Sequence, residues 1–279
     1  MMKMEFLPNL ALKTCALTLA IAATASCTTM ATGADYQTSN AQTTANTTST
    51  TALALGNTAT AGGSNDTVAI GNMANAGLNS ATAVGGQANA AGLGSTSIGW
   101  QSKATAERAQ AFGHLANASG VRSTAVGEAA IAGGTNDTVA VGNKANAGLN
   151  STTAVGGEAN AAGLGSTSIG WQSKATAERA QAFGHIANAS GVRSTAVGEA
   201  AAAQGANSVA LGNKSMAGGI NSIAIGNGAM AAKNNQVVLG NAGQVQSSTA
   251  AQSGTVRIVT IDDNGTLGTM MVDYYKSAK

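Results

Sequence analysis

The 279-residue sequence predicts an all-β fold, a solenoid of about fourteen short stacked turns, and three observations carry that expectation. A phrase of the form small-x-small-apolar-Gly recurs every 14 or 15 residues, ending at Gly56, Gly71, Gly85, Gly99, Gly113, Gly127, Gly142, Gly156, Gly170, Gly184, Gly198, Gly212, Gly226 and Gly240. A fixed short period is the mark of a chain whose units contact only their neighbours. The composition agrees: 37 glycines, 3% aromatic and 9% charged residues leave too few large side chains for the deep core of an ordinary enzyme. Finally, within each period two short stretches alternate in side-chain character, the pattern of strands.

Residues 1–34 read as a signal and processing segment. Lys3 and Lys13 frame an N-region, and Ala16 to Ala25 form an apolar stretch too short to span a bilayer as a helix, so the mature chain is expected to be exported. Two processing routes stay open. Ala23-Thr24-Ala25 offers a small-x-small cleavage site, while Thr24-Ala25-Ser26-Cys27 resembles a lipobox that would attach lipid at Cys27, with Thr24 in place of the usual Leu or Val. Cys15 and Cys27 are the only cysteines, so the remainder has no disulfide and stacking must stabilise it. Beyond Cys27 the charges nearly balance, 12 Lys or Arg against 11 Asp or Glu, and no attraction to nucleic acid follows. Any contact with a membrane is expected through the N-terminal lipid alone.

Residues 35–50 are a polar spacer rich in Thr, Asn, Gln and Ala. The repeats occupy 51–243. A second, longer period lies within them: the block Gly62 to Ala130 returns nearly unchanged at Gly133 to Ala201, so five turns were duplicated together. The 15-residue spacings each hold one extra residue, near Gly62–Asp66 and Gly133–Asp137, where a surface turn tolerates insertion. Residues 244–279 form a tail in which Val256 to Ile261 and Thr266 to Val272 flank Asp263-Asn264-Gly265, the pattern of a hairpin.

One turn shows how the phrase is used. In Asn207 to Ala217, Val209 and Leu211 alternate with Ala210, and after the bend at Gly212 the small Ser215 and Ala217 alternate with Lys214 and Met216. The expectation is two short strands per turn, with Ser215 and Ala217 inward and the residue before each glycine, such as Leu211 or Ile225, filling the narrow space between the walls. Glycine at the bend supplies backbone freedom that a side chain forbids.

Asn207-Ser-Val-Ala-Leu-Gly212 and Asn221-Ser-Ile-Ala-Ile-Gly226, each followed by x-x-small-x-Ala, resemble the head repeat of YadA-like trimeric autotransporter adhesins over about residues 51–243. The resemblance implies a left-handed parallel β-roll, a homotrimer, and display at the cell surface or outer membrane, or release outside the cell. It also implies binding of extracellular matrix or of a cell-surface protein or glycan, without enzymatic activity. A complete member of that family continues into a stalk and a C-terminal barrel segment. Residues 241–279 carry neither heptads nor barrel-strand runs, so anchoring is expected through Cys27, if at all. Two other readings of the repeat stand beside the adhesin: a fibre segment of phage or secretion type, which the signal segment disfavours, and an ice-binding solenoid. The latter needs an unbroken Thr ladder, and Gln110, Val139, Gln181 and Val209 interrupt it.

No nucleophile elbow, phosphate loop or convergent acidic pair appears, so neither catalysis nor a cofactor is expected. The residue after each phrase glycine forms a column in which Trp100 should stack beside His114 and Trp171 beside His185, one strand spacing of about 4.8 Å apart. These four residues are the candidate surface contacts, and the competing reading is that the indoles cover a neighbouring chain or an alanine-rich wall. The histidines have no further ligand at metal spacing in their own turns, and no metal site is expected. Lys103-x-x-x-Glu107-Arg108 and Lys174-x-x-x-Glu178-Arg179 read as solvated charge pairs.

Overall fold

The computed structural model describes residues 44–45, 51–253 and 257–271. The signal segment, most of the spacer and Cys27 lie outside the described residues.

Each turn contributes a three-residue strand containing the phrase, from Leu53–Leu55 through Val68–Ile70 to Val237–Leu239, and a two-residue strand after the glycine bend, such as Asn75–Ala76 or Met216–Ala217. Like strands stack in parallel, giving two sheets of fourteen strands each. Register follows the period without a slip. Thr82 pairs with Thr96 and Ala83 with Ser97, while across the longer turns Leu53 pairs with Val68 and Thr124 with Val139. The extra residue is absorbed in a bend, where Asp66 and Asp137 take positive φ and the Asn79 and Asn150 side chains accept hydrogen bonds from the Ser64 and Thr135 amides.

The bend glycines are required by the stack. Gly156 has φ +128°, and a Cβ there would lie 2.6 Å from the carbonyl oxygen of Gly170 on the next rung, a distance no packed side chain reaches. Two residues further on, the chain turns again through the left-handed region without glycine at Gln101, Leu115 and Ile186. Such positions cost backbone energy and persist only because the ladder on either side holds them.

The interior differs from the expected one. Ala210 and Ala224 are fully buried, whereas Leu211 and Ile225 are 43% and 38% exposed, so the middle residue of the phrase points inward and the residue before the glycine points out. The core consists of alanine with rungs of serine and threonine, among them Ala83, Ala88, Ala90 and Ser95 in one turn. The expected inward placement of Ser215 and Ala217 holds, and it explains the inversion. With small residues on the facing sheet, the two backbones approach until only a methyl or hydroxyl fits between them, and a Leu or Ile side chain has no volume to occupy. Two turns replace an alanine pair by Ser97 with Ser102 and Ser168 with Ser173, whose hydroxyls hydrogen-bond at 2.7 Å inside the roll. Ser102 also donates to the Gly99 carbonyl, tying the core to the bend that carries Trp100.

The tail holds the expected antiparallel hairpin, Arg257–Ile261 with Leu267–Met271, and also a helix, Ala242–Ala250, that periodicity did not announce. Its N-cap is Asn241, the last member of the post-glycine column. The Asn241 side chain accepts from the Gln244 backbone amide, and the Gln244 side-chain oxygen accepts from the Asn241 backbone amide. This capping box satisfies two donors that the first helical turn leaves unpaired. The Asn241 side-chain Nδ2 donates to the Asn227 carbonyl, joining the helix start to the last turn of the roll. No helix among the described residues is long and apolar enough to cross a membrane.

Candidate functional site

The column after the bend glycine is positioned by the strongest constraint in the fold. Each member follows a residue locked between two parallel ladders, so its Cα is fixed in register with those above and below. Rungs in such a ladder are separated by about 4.8 Å, the spacing at which flat side chains stack. The ring centroids of Trp100 and His114 lie 4.9 Å apart with planes 25° from parallel, and those of Trp171 and His185 lie 5.0 Å apart at 16°. The expected adjacency is present in both copies of the duplicated block.

The column continues as a polar chain. His114 Nδ1 lies 3.6 Å from a Glu128 oxygen, and the other oxygen of Glu128 accepts from the Asn143 side chain at 3.0 Å. In the second copy His185 Nδ1 lies 3.7 Å from Glu199, which accepts from Asn213 at 3.2 Å. The rung on the opposite side of each tryptophan carries glycine, Gly86 or Gly157. Trp100 and Trp171 remain 50% and 48% exposed, so stacking covers one face of each indole and leaves the residue half in solvent. Beside the column, the Gln101 amide donates to Gln87 and that of Gln172 to Glu158. Leu115 and Ile186 stand exposed next to the histidines.

What these groups can do is bind by contact. The arrangement offers a flat apolar face with amides and carboxylates at its edge, repeated twice along one axis. Among the described residues no three His, Cys, Asp or Glu side chains gather around a common point. The charge pairs Arg108–Glu107 and Arg179–Glu178 are each 3.7 Å apart at the surface, in ion-pair range but just beyond hydrogen-bonding distance. A tighter pair that the sequence did not single out joins Arg122 to Asp137 across adjacent rungs, with bonds of 2.7 and 2.8 Å. The Arg122 guanidinium holds the Asp137 carboxyl below its ordinary range, and Asp137 in turn raises Arg122. It lies at the inserted turn and serves to fix that bend.

The glycine rungs were visible in the sequence as members of the column but not as gaps. Their meaning appears only when the indole on the next rung is seen against them.

The family described as "YadA head domain repeat (2 copies)" matches eight overlapping or adjoining segments: 79–102, 90–116, 104–130, 118–145, 148–173, 161–187, 189–215 and 217–241. Among solved structures, the crystal structure of the collagen-binding domain of Yersinia adhesin YadA is similar at 20% identity, covering 72% of this chain and 78% of that one. Its TM-score is 0.20, so no argument rests on that superposition. No curated protein matches the chain. The matched segments span more than half of the sequence and follow the same turns that form the roll; the chain belongs to the YadA head repeat family, whose fold is the left-handed parallel β-roll.

Proposed function

We propose that this chain is an adhesive head, exported, displayed at the bacterial surface or released from it, and acting by contact without catalysis. The observation that carries this reading is the roll itself: a long, rigid face on which the same outward positions recur in fixed register. Such a surface binds extended partners by repetition, with each rung contributing a small increment. Matrix proteins, cell-surface proteins and their glycans are the partner classes that fit. Lipid attachment at Cys27 is the proposed anchor, with release after cleavage as the other outcome of processing.

The head is a homotrimer in this reading. The three-residue strands turn Leu55, Ile70, Val84, Ile98, Phe112 and their successors outward, half-buried or exposed, in an apolar stripe the length of the roll. A contiguous apolar face of that extent is unusual on an isolated soluble chain and is covered when chains associate side by side. Sedimentation of the mature protein should give three times the chain mass. A stable monomer with its full β-signal would refute the trimer.

The adhesive role is tested by coating beads with the purified chain and measuring adherence to cultured cells and to immobilised matrix proteins. Adherence above that of uncoated beads is the expected result, and none on any surface overturns the reading. For the anchor, a clickable fatty acid should label the wild-type protein and fail to label Cys27→Ala.

A further inference from the structure

We infer that Gly86 with Trp100, and Gly157 with Trp171, form two equivalent slots that each take one pyranose ring of a glycan chain. The inference rests on the adhesive reading and names the ligand class of one face.

Every rung of the post-glycine column near the tryptophans carries a side chain except these two. Running along the roll the order is Asn72, Gly86, Trp100, His114, Glu128, and then again Asn143, Gly157, Trp171, His185, Glu199. One face of each indole is covered by histidine at about the distance of a full stack. On its other face the adjacent rung ends at the backbone. A Cβ built on Gly86 or on Gly157 would meet the indole Cδ1 at 3.1 Å and Nε1 at 3.6 Å, so the pyrrole edge packs directly over the glycine while no side chain stands beside the outer part of that indole face. The glycines are not there for backbone reasons: neither has positive φ, and other turns place Asn, Trp, His or Glu at the same position. Their effect is to leave one rung empty next to a flat aromatic surface.

The rim decides what fills it. Asn72 is exposed on the rung beyond Gly86, and the Gln101–Gln87 bond at 2.8 Å holds two amides alongside. Around Gly157 the equivalents are Asn143, Gln172 and the Glu158 carboxylate, the last two bonded at 2.7 Å. An apolar side chain entering the slot would strip water from these groups without replacing their hydrogen bonds, at a cost that opposes binding. A pyranose ring presents C–H groups on its face and hydroxyls around its edge. The face stacks on the indole, and the hydroxyls meet the amides and carboxylate. His114 and Glu128 act as positioning residues that back the indole from the far side, and His185 and Glu199 repeat that role.

The duplication adds a second argument. Gly86 and Gly157 are separated by five rungs of about 4.8 Å, roughly 24 Å along the axis, with both slots facing the same way. Both copies keep the glycine beside the indole while one rim residue differs, Gln87 in the first and Glu158 in the second, so the two slots act as separate sites for the same kind of ring.

Trp100 and Trp171 are the only tryptophans in the chain, so indole emission reports on the two slots alone. The full mature chain is titrated with cellohexaose, chitohexaose and a lactosamine hexasaccharide, and with the disaccharide of each, by emission and by calorimetry. At least one hexasaccharide should give a saturable emission change, with calorimetry giving about two binding events per chain. Gly86→Leu fills one slot and should halve the calorimetric stoichiometry; Gly86→Leu with Gly157→Leu should abolish binding. Trp100→Ala with Trp171→Ala, followed by calorimetry, should do the same without adding volume. Melting curves within a few degrees of wild type identify variants that remain folded. No saturable response to any probe up to about 10 mM, or hexasaccharide binding unchanged in the double glycine variant, overturns the inference. If beads still adhere to cells or matrix in that case, the adhesive reading stands and only the slots fall. If glycans bind and nothing adheres, the reverse holds.

Discussion

Gly156 and Gly148 lie eight residues apart in consecutive turns, and replacing each by alanine separates steric need from mere composition. At Gly156 the backbone has φ +128°, and the new Cβ would sit 2.6 Å from the Gly170 oxygen and 2.7 Å from its carbon. Ordinary contact begins near 3.4 Å, so the next rung must yield by most of an ångström. It is poorly placed to do so. The Gly170 amide donates to Val155 at 2.8 Å, and its carbonyl accepts from the Ser173 hydroxyl at 2.9 Å. Strain at such a φ costs about 1–3 kcal/mol and overpacking a similar amount, so Gly156→Ala should destabilise by about 4 kcal/mol. At Gly148 φ is not positive and the nearest atom to the new Cβ, the Asn146 side-chain oxygen, is 3.9 Å away. Gly148→Ala should be neutral or stabilise by about 0.4–1 kcal/mol, since alanine narrows the unfolded ensemble. Thermal melts followed by circular dichroism, at one fixed protein concentration, should separate the two variants by roughly 8–16 °C. Because stacked turns can open locally, hydrogen exchange should place the loss around rungs 155–171. Indistinguishable melting of the two variants would show that the bend glycines are not sterically required.

Three further expectations concern the core and the inserted turn. Ala210→Asp places a carboxylate in a fully buried position and should cost more than about 3 kcal/mol, whereas Asn213→Ala, which removes only an exposed bond to Glu199, should cost less than about 1 kcal/mol; chemical denaturation checks both. Ser102→Ala strips the buried Ser97 hydroxyl of its partner and should cost about 1–3 kcal/mol, while the double variant with Ser97→Ala restores the alanine pair of neighbouring turns and should recover most of the loss, a coupling that a double-mutant cycle measures. Asp137 titrates below its ordinary value because Arg122 hydrogen-bonds to its charged form. Its contribution is therefore present above the ordinary carboxylate pKa and is lost as pH falls through the depressed one. Carboxyl NMR should show the Asp137 titration moving up in Arg122→Gln; an unchanged midpoint would refute the pairing.

The period carried the architecture. Fourteen phrases in one spacing determine that like strands stack in parallel, that register cannot slip without misplacing every glycine, and that residues 14 or 15 apart become neighbours; the stacking of Trp100 on His114 is read directly from that arithmetic. The hairpin was equally legible, since its alternation and its Asp-Asn-Gly turn are local signals. The helix at Ala242–Ala250 carried one local signal, the Asn241 to Gln244 capping box, but no apolar period, because none of its residues is buried.

The inside of the roll was decided only by tertiary structure. Alternation states that Ala210 and Leu211 face opposite ways, but not which way is in, and hydrophobicity alone favours the leucine. The facing sheet reverses that preference, because Ser215 and Ala217 bring the walls too close for anything larger than a methyl or hydroxyl. The large apolar residues then form an outer stripe, so the same letters that were expected to fill the core become a surface. The empty rungs at Gly86 and Gly157 have the same origin. A glycine in a column is only a letter until the neighbouring side chain is in place, and its meaning depends on an indole fourteen residues away that the stacking brings against it.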